Sequence, residues 1–322
     1  MRFASFRADD QDRIGFEGAD GLLYDLAGIA TDARAGLDAT VLGEMERFIA
    51  AGPRALELAR KAAKSPKGLR AFRPDEIQWH PPVRRPSKIA CIPNNNTAFS
   101  ETIIKRPATT SFFLKAYSSL VSHNEPIVLY PEHGLTYPEP ELAVVIGKTA
   151  KEIKAEEAFD YVFGYTILND VTSASLREED TFYYREAMPD GNGGFKMIES
   201  YTSYSGRYKS SDTFAPLGPW LVTKDEVGNP NDLNVACYIG GKLMYSDNTK
   251  NMTYHVPELL QTVSRYTTLF PGDVLSIGTA SAPGGEEGEV PLSSTDIHRL
   301  GGPVTITIEK IGELSNPVSL RQ

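Results

Sequence analysis

One stretch, Tyr137-Pro-Glu-Pro-Glu-Leu-Ala-Val-Val-Ile-Gly-Lys148, constrains this chain more than any other. From Leu142 to Ile146 it is an apolar, partly β-branched run closed by Gly147, the pattern of a buried strand. Glu139 and Glu141 stand just before that run. Residues two apart in an extended chain point to one face, so both carboxylates aim at one spot. Two like charges at the mouth of a buried strand repel each other and lose hydration, and a divalent cation is the simplest way to keep both ionised. Downstream, Phe163-Gly-Tyr-Thr-Ile-Leu-Asn-Asp-Val171 reads as a second short strand ending in Asp170, a natural third oxygen ligand. Three carboxylates without a nearby His or Cys suit a hard ion such as Mg²⁺, Mn²⁺ or Ca²⁺ and argue against zinc. The plainer alternative is a solvated strand edge.

The 322 residues suffice for one large or two ordinary domains, and their net charge of −9, with no Lys/Arg stripe to relieve it, disfavours a nucleic-acid partner. No apolar run approaches the ~20 residues of a membrane span, and Met1 to Asp10 is charged and lacks the core of a signal peptide. The expectation is a cytoplasmic protein that does not engage a membrane. The two cysteines, Cys91 and Cys237, sit inside apolar runs and read as buried thiols.

In chain order, residues 1 to about 30 read as a small β-meander. Two helices follow between Thr40 and Ala63, separated at Pro53. Lys64 to Lys88, rich in Lys, Arg and Pro, reads as a linker, which gives a small N-terminal α/β domain (1–80, linker to about 88) and a main domain (88–322). The main domain opens with the strand Lys88 to Ile92 and the loop Pro93-Asn-Asn-Asn-Thr97. Ser111 to Lys115 and Ile127 to Tyr130 are expected strands, as are Val235 to Ile239, Lys242 to Tyr245, Gly272 to Ile277 and Val304 to Ile308. A helix is expected near Val256 to Tyr266. Between them, about 175–211 is polar and aromatic and reads as an active-site cover. G-x-S-x-G, Walker A and G-x-G-x-x-G are all missing, and the five His lack H-x-x-x-H spacing. His123 and His133 lie closest in sequence to the carboxylates and are second-choice acid–base groups.

Taken together, several ordered blocks resemble the fumarylacetoacetate hydrolase superfamily over about Arg85 to Val318. They are Arg85 to Ile92, Glu139 to Lys148, Gly164 to Thr172, Lys209-Ser-Ser-Asp-Thr-Phe-Ala-Pro-Leu-Gly-Pro-Trp220 and Pro271 to Thr279. The resemblance implies an α+β fold with a mixed β-roll core, usually assembled as a homodimer. It also implies Mg²⁺ or Mn²⁺ on Glu139, Glu141 and Asp170, Lys209 beside the substrate's oxygens, and a substrate carboxylate received at the Gly278-Thr279 turn. The implied substrate is a 2-oxo or 2,4-dioxo carboxylic acid that reacts through a stabilised enolate. Arg177 and Tyr208 of the cover, with Tyr183, Tyr184 and Arg185, are expected to choose the substrate tail.

The chain departs from the pattern at the base. Hydrolytic relatives carry a His shortly after the first core strand and a Glu three residues on. Here Phe99 stands at the His position and Glu101 lies one position short of the Glu. Glu101, Glu178 or Glu179 are the carboxylates that could substitute. C–C hydrolysis of an acylpyruvate type leads narrowly. Hydration, dehydration, isomerisation or decarboxylation is the alternative, and a catalytically silent metal- or ligand-binding relative is the reading from another class.

Overall fold

The computed structural model describes residues 1–29, 37, 40–100, 103–280 and 294–322, without the side chain of Phe99. The fold is mixed α+β and largely sheet. Among these residues one sheet has eleven strands. Its main path runs Ala71–Phe72, Leu23–Asp25, Gln11–Glu17, Arg2–Ala8, Leu221–Thr223, Val162–Asn169, Pro140–Ile146, Val274–Thr279, Ile89–Cys91 and Phe113–Lys115. Gln78–His80 adds to it against Arg2–Ala8. The expected N-terminal meander is therefore joined to the central strands through Arg2–Ala8 and Leu221–Thr223. The stretch read as a linker supplies two short strands, Ala71–Phe72 and Gln78–His80.

The apolar run that opened the analysis is the strand Pro140–Ile146, and all seven of its residues are buried. Its two faces feed different parts of the core. Leu142, Val144 and Ile146 pack into the largest cluster, while Ala143 and Val145 belong to clusters on the other side. A strand covered on both faces has no reason to alternate with polar residues, hence the unbroken apolar sequence. The largest cluster is closed by a four-stranded sheet in the order Lys242–Asn248, Asn234–Ile239, Val304–Ile308, Gly312–Asn316. The helix Val256–Tyr266 adds Val256, Leu259, Leu260 and Val263, one stripe at helical spacing. The N-terminal helices, Met45–Ala50 and Pro53–Lys64, divide at Pro53 as expected and cover the opposite side with Phe48, Ile49, Ala55 and Ala59. Cys91 and Cys237 are free, buried thiols in the two different sheets.

His123 is a structural residue. Its ring meets Trp79 edge-on at 5.8 Å, and its Nδ1 accepts the Ser315 N–H at 3.1 Å. Burial pushes its pKa down to about 4. The unfolded chain, with a His near 6.5, therefore binds a proton that the fold resists. This group's contribution is complete above about pH 6.5 and is lost as pH falls toward 4, by roughly 1–2 kcal/mol after allowing for the ring's partial exposure. Denaturant melts at pH 7 and 4.5 should show a weaker pH dependence in His123→Phe than in the wild type. Identical profiles would overturn this role.

Candidate metal and active site

Strand register brings the three acidic residues together. Pro140–Ile146 and Val162–Asn169 run antiparallel with Pro140 opposite Asn169 and Glu141 opposite Leu168, so Glu139 lies across from Asp170. The Asp170 N–H closes that end by donating to the Glu139 carbonyl at 2.9 Å, and Asn169 Oδ1 accepts the Glu139 N–H at 3.0 Å. Leu168 and Ala143 share a cluster, so Asp170 and Glu141, each two residues away, continue the same face. Glu139, Glu141 and Asp170 each present an oxygen within 4.8 Å of the others.

Two lysines complete the cluster. Lys209, on the short helix Gly206–Ser210, donates to Glu139 Oε2 and, at 2.6 Å, to Asp170 Oδ2. Its ammonium also lies 5.1 Å from the centre of the Phe113 ring. Lys115, at the end of Phe113–Lys115, donates to the other Asp170 oxygen at 2.5 Å, and its side chain is wholly buried. Glu141 is held from the third side. Ser276 Oγ and the Gly278 N–H (3.3 Å) donate to one oxygen, and Thr279 Oγ1 donates to the other at 3.0 Å.

Gly278 sits where the register against Pro140–Ile146 shifts, with φ +102°. A Cβ there would lie 2.8 Å from Asn95 Cβ and 3.1 Å from the Ile92 carbonyl. Only glycine allows this bulge to turn its N–H onto Glu141. Asn95 and Asn96 fix the peptides on either side. The Asn95 amide donates to the Ile277 carbonyl at 2.7 Å, and the Asn96 amide donates to the Thr279 carbonyl at 3.1 Å and to Asp247 at 2.6 Å.

The electrostatics are those of a cation site. For Glu141, burial and then the charges of Asp170 and Glu139 push the pKa up to about 8, against the Ser276 hydrogen bond. Glu139 is also raised, by burial first, with Lys209 opposing and Asp170 adding. Burial works to raise Asp170 as well, but Lys115 and Lys209 overcome it and hold it below its ordinary value. Lys209 resists burial through Asp170 and Glu139 and stays raised, an ammonium that cannot serve as a base. With all three carboxylates ionised, as a bound cation would keep them, the two ammonium groups leave one negative charge uncompensated. Oxygen donors only, buried and short of positive charge, fit a hard divalent ion. Tyr137 stands beside them, its phenol pushed up to about 12 by burial and then by Glu139.

Six of the nine sequence-derived site residues thus meet: Glu139, Glu141, Asp170, Lys209, Gly278 and Thr279. Arg177 is exposed on the helix Ala174–Glu179, within electrostatic reach of Tyr137. Tyr208 is half-buried next to Lys209, and among the described residues no hydrogen bond joins it to the cluster. Glu101 lies outside the described residues. Glu179 is paired with Arg207 at 3.2 Å. His133 packs on Phe214 at 4.8 Å with its Nδ1 accepting the Tyr130 N–H, so neither it nor His123 stands ready as a base. Lys115, Ser276, Asn95 and Asn96 were not singled out from sequence. The available signals were a lysine closing the apolar run Phe112-Phe-Leu-Lys115 and the run of three Asn, rich in hydrogen-bonding groups, in the loop Pro93-Asn-Asn-Asn-Thr97.

The family described as "Fumarylacetoacetate (FAA) hydrolase C-terminal" matches residues 88–319. A 2,4-didehydro-3-deoxy-L-rhamnonate hydrolase from Sphingomonas sp. (strain SKA58) is 32% identical over 99% of this chain and 96% of its own length. A mitochondrial oxaloacetate tautomerase from Xenopus laevis is 33% identical over 99% of this chain and 90% of its own. Among solved structures, a maleylpyruvate hydrolase from Sphingobium sp. SYK-6, in complex with manganese(II) and pyruvate, aligns over both whole chains with a TM-score of 0.72 and 27% identity. A matching family over most of the length, full-length relatives and a shared fold agree: the chain belongs to the fumarylacetoacetate hydrolase superfamily and is an enzyme of that superfamily.

Proposed function

We propose that this chain catalyses a divalent-cation-dependent reaction of a 2-oxo or 2,4-dioxo carboxylic acid through an enolate, with C–C hydrolysis of an acylpyruvate-type substrate as the leading reaction. The observation that carries this reading is the buried Glu139–Glu141–Asp170 group beside the Lys209 ammonium. Mg²⁺ or Mn²⁺ held by those three residues supplies Lewis-acid stabilisation of negative charge on the substrate's 2-oxo oxygen. The charge balance supports a monoanionic acid. A divalent ion turns the cluster's single excess negative charge into a single positive one, which one carboxylate cancels. Lys209 adds a fixed donor for an oxygen that gains charge. The Gly278–Thr279 turn grips Glu141, so one element both steadies a cation ligand and borders the substrate carboxylate. Arg177 suits a second carboxylate or a polyhydroxylated tail. The relatives' printed substrates and ligands share the 2-oxo acid chemistry.

A second reading, keto–enol tautomerisation or another isomerisation, is favoured by Phe99 at the position where hydrolytic relatives carry a His. Proton relocation needs the enolate but no activated water. Proton NMR of the EDTA-treated protein with pooled acylpyruvates, 3-deoxy-2-oxo sugar acids and oxaloacetate separates the two. Pyruvate plus a free acid, formed only after Mg²⁺ or Mn²⁺ is restored, is the expected result. Cation-dependent exchange at C3 with the carbon chain intact would select the tautomerase. No cation-dependent change with any acid would sink the proposal.

A further inference from the structure

A small cavity of about 100 Å³ opens between the loop that follows Ile89–Cys91 and the segment that leads into Phe113–Lys115. Among the described residues it is lined by two cations, Lys105 and Arg106, and by no carboxylate. Two larger cavities, one beside Asp12 and one beside Asp160, each set three cations against three carboxylates. The imbalance is the more telling on a chain of net charge −9. Arg106 is half-buried, and its guanidinium meets only neutral oxygens. Nη1 donates to the Asn94 carbonyl at 3.2 Å and to Thr253 Oγ1 at 3.4 Å, and Nη2 donates to Ser100 Oγ at 3.2 Å. Those bonds occupy three of the five N–H donors of an arginine and leave two over. Lys105 is exposed and has no ion pair or hydrogen bond among the described residues. Thr109, Ser111 and Tyr254 border the same space with hydroxyl groups, while Pro93, Ile103 and Pro107 supply apolar walls. A cleft of one charge sign with low-dielectric walls concentrates its field on whatever enters.

We propose that this cavity binds an oxoanion, a carboxylate or a phosphate, at a site distinct from the acidic cluster. About three waters would fill it, which is room for one such group. The spare guanidinium donors suit an acceptor with paired oxygens, and Lys105 adds a point charge at the rim. The acidic cluster repels an anion until a cation is bound, whereas this cavity attracts one with no cation present. The site also adjoins the machinery around Glu141. Arg106 holds the carbonyl of Asn94, and the next two residues, Asn95 and Asn96, hold the peptides on either side of Gly278. Tyr254, which borders the cavity, exchanges two hydrogen bonds with Asn95. Its N–H donates to Oδ1 at 2.9 Å, and its carbonyl accepts from Nδ2 at 2.8 Å. An oxoanion on Arg106 therefore bears on the loop that steadies the Gly278–Thr279 turn. It comes either free from solution or as the far acid group of a dicarboxylic substrate.

The test is isothermal titration calorimetry of the full chain, stripped of metal and freed of chelator, with inorganic phosphate and with succinate. The wild type should bind at least one of them with a Kd on the order of 0.1–1 mM. Arg106→Gln should weaken that binding by at least about tenfold, with circular dichroism as the folding control. Lys105→Glu reverses a charge at an exposed position that holds no other group, and should weaken it to a similar degree. Arg73→Gln, which removes an exposed cation paired with Asp75 elsewhere, should leave it unchanged. Absence of binding by both anions overturns the proposal, and so does binding that both cavity variants retain. The source of the oxoanion is read from phosphate added to the Mg²⁺-loaded chain. A rise in KM for a dicarboxylic acylpyruvate but not for a monocarboxylic one assigns the site to the substrate's far end. Phosphate that binds together with substrate assigns it to a free anion. That second arm alone rests on the proposed reaction, so the calorimetry tests the site even if the reaction is a different one.

Discussion

Glu139→Gln is expected to reduce cation-dependent turnover by on the order of 10²–10³ and Mn²⁺ affinity by about 100-fold or more, with little change in the melting temperature. The substitution keeps shape and one acceptor oxygen but removes one of three charges. The fold should tolerate it, because Glu139 is tied to its neighbour strand by backbone groups, the Asp170 N–H to its carbonyl and its own N–H to Asn169. Lys209 keeps its 2.6 Å partner Asp170, so no buried ammonium is stranded. Loss of cation binding with an intact fold is thus the signature, read by Mn²⁺ titration beside steady-state rates. A variant with the full rate would remove Glu139 from the site.

Asp170→Asn should behave differently, because Asp170 carries structure as well as chemistry. Its two oxygens take Lys115 at 2.5 Å and Lys209 at 2.6 Å, and the Lys115 side chain has no exposure at all. Removing the carboxylate leaves that ammonium buried without its counter-charge, an imbalance that costs about 3–5 kcal/mol. Lys115→Met alone is milder, since Asp170 retains Lys209. The double variant Asp170→Asn, Lys115→Met should cost less than the sum of the two by roughly 1–3 kcal/mol. Urea unfolding in EDTA measures all four corners of the cycle. Additive costs would mean that Lys115 and Asp170 do not depend on each other.

What could be read in advance was local. Glu139 and Glu141 announce themselves because the strand period is two, and Asp170 because an apolar run ends on it. The helix Val256–Tyr266 and the strand Val304–Ile308 were likewise legible from period and apolar content. The partners of the carboxylates were not. Ser276 reaches Glu141 across 135 positions and Lys115 reaches Asp170 across 55, through pairings of distant strands that no local pattern encodes. The family pattern supplied Lys209, Gly278 and Thr279, which periodicity alone would have passed over. The hairpin of Thr181–Pro189 with Phe195–Ser203 was not foreseen, for another reason. Asp190-Gly-Asn-Gly-Gly194 is a turn sequence between two aromatic-rich strands, but with neither face buried the strands lack the alternation that betrays a sheet.

The two buried thiols make the molecule its own stability gauge. Cys91 lies in the large sheet beneath the acidic cluster and Cys237 in the four-stranded sheet across the core, and neither is reachable in the closed fold. A thiol reagent can reach each one only when its own sheet opens. The two labelling rates therefore time two separate openings in one unmodified chain. If the sheets part independently the rates differ, and if the core between them opens as one unit they coincide.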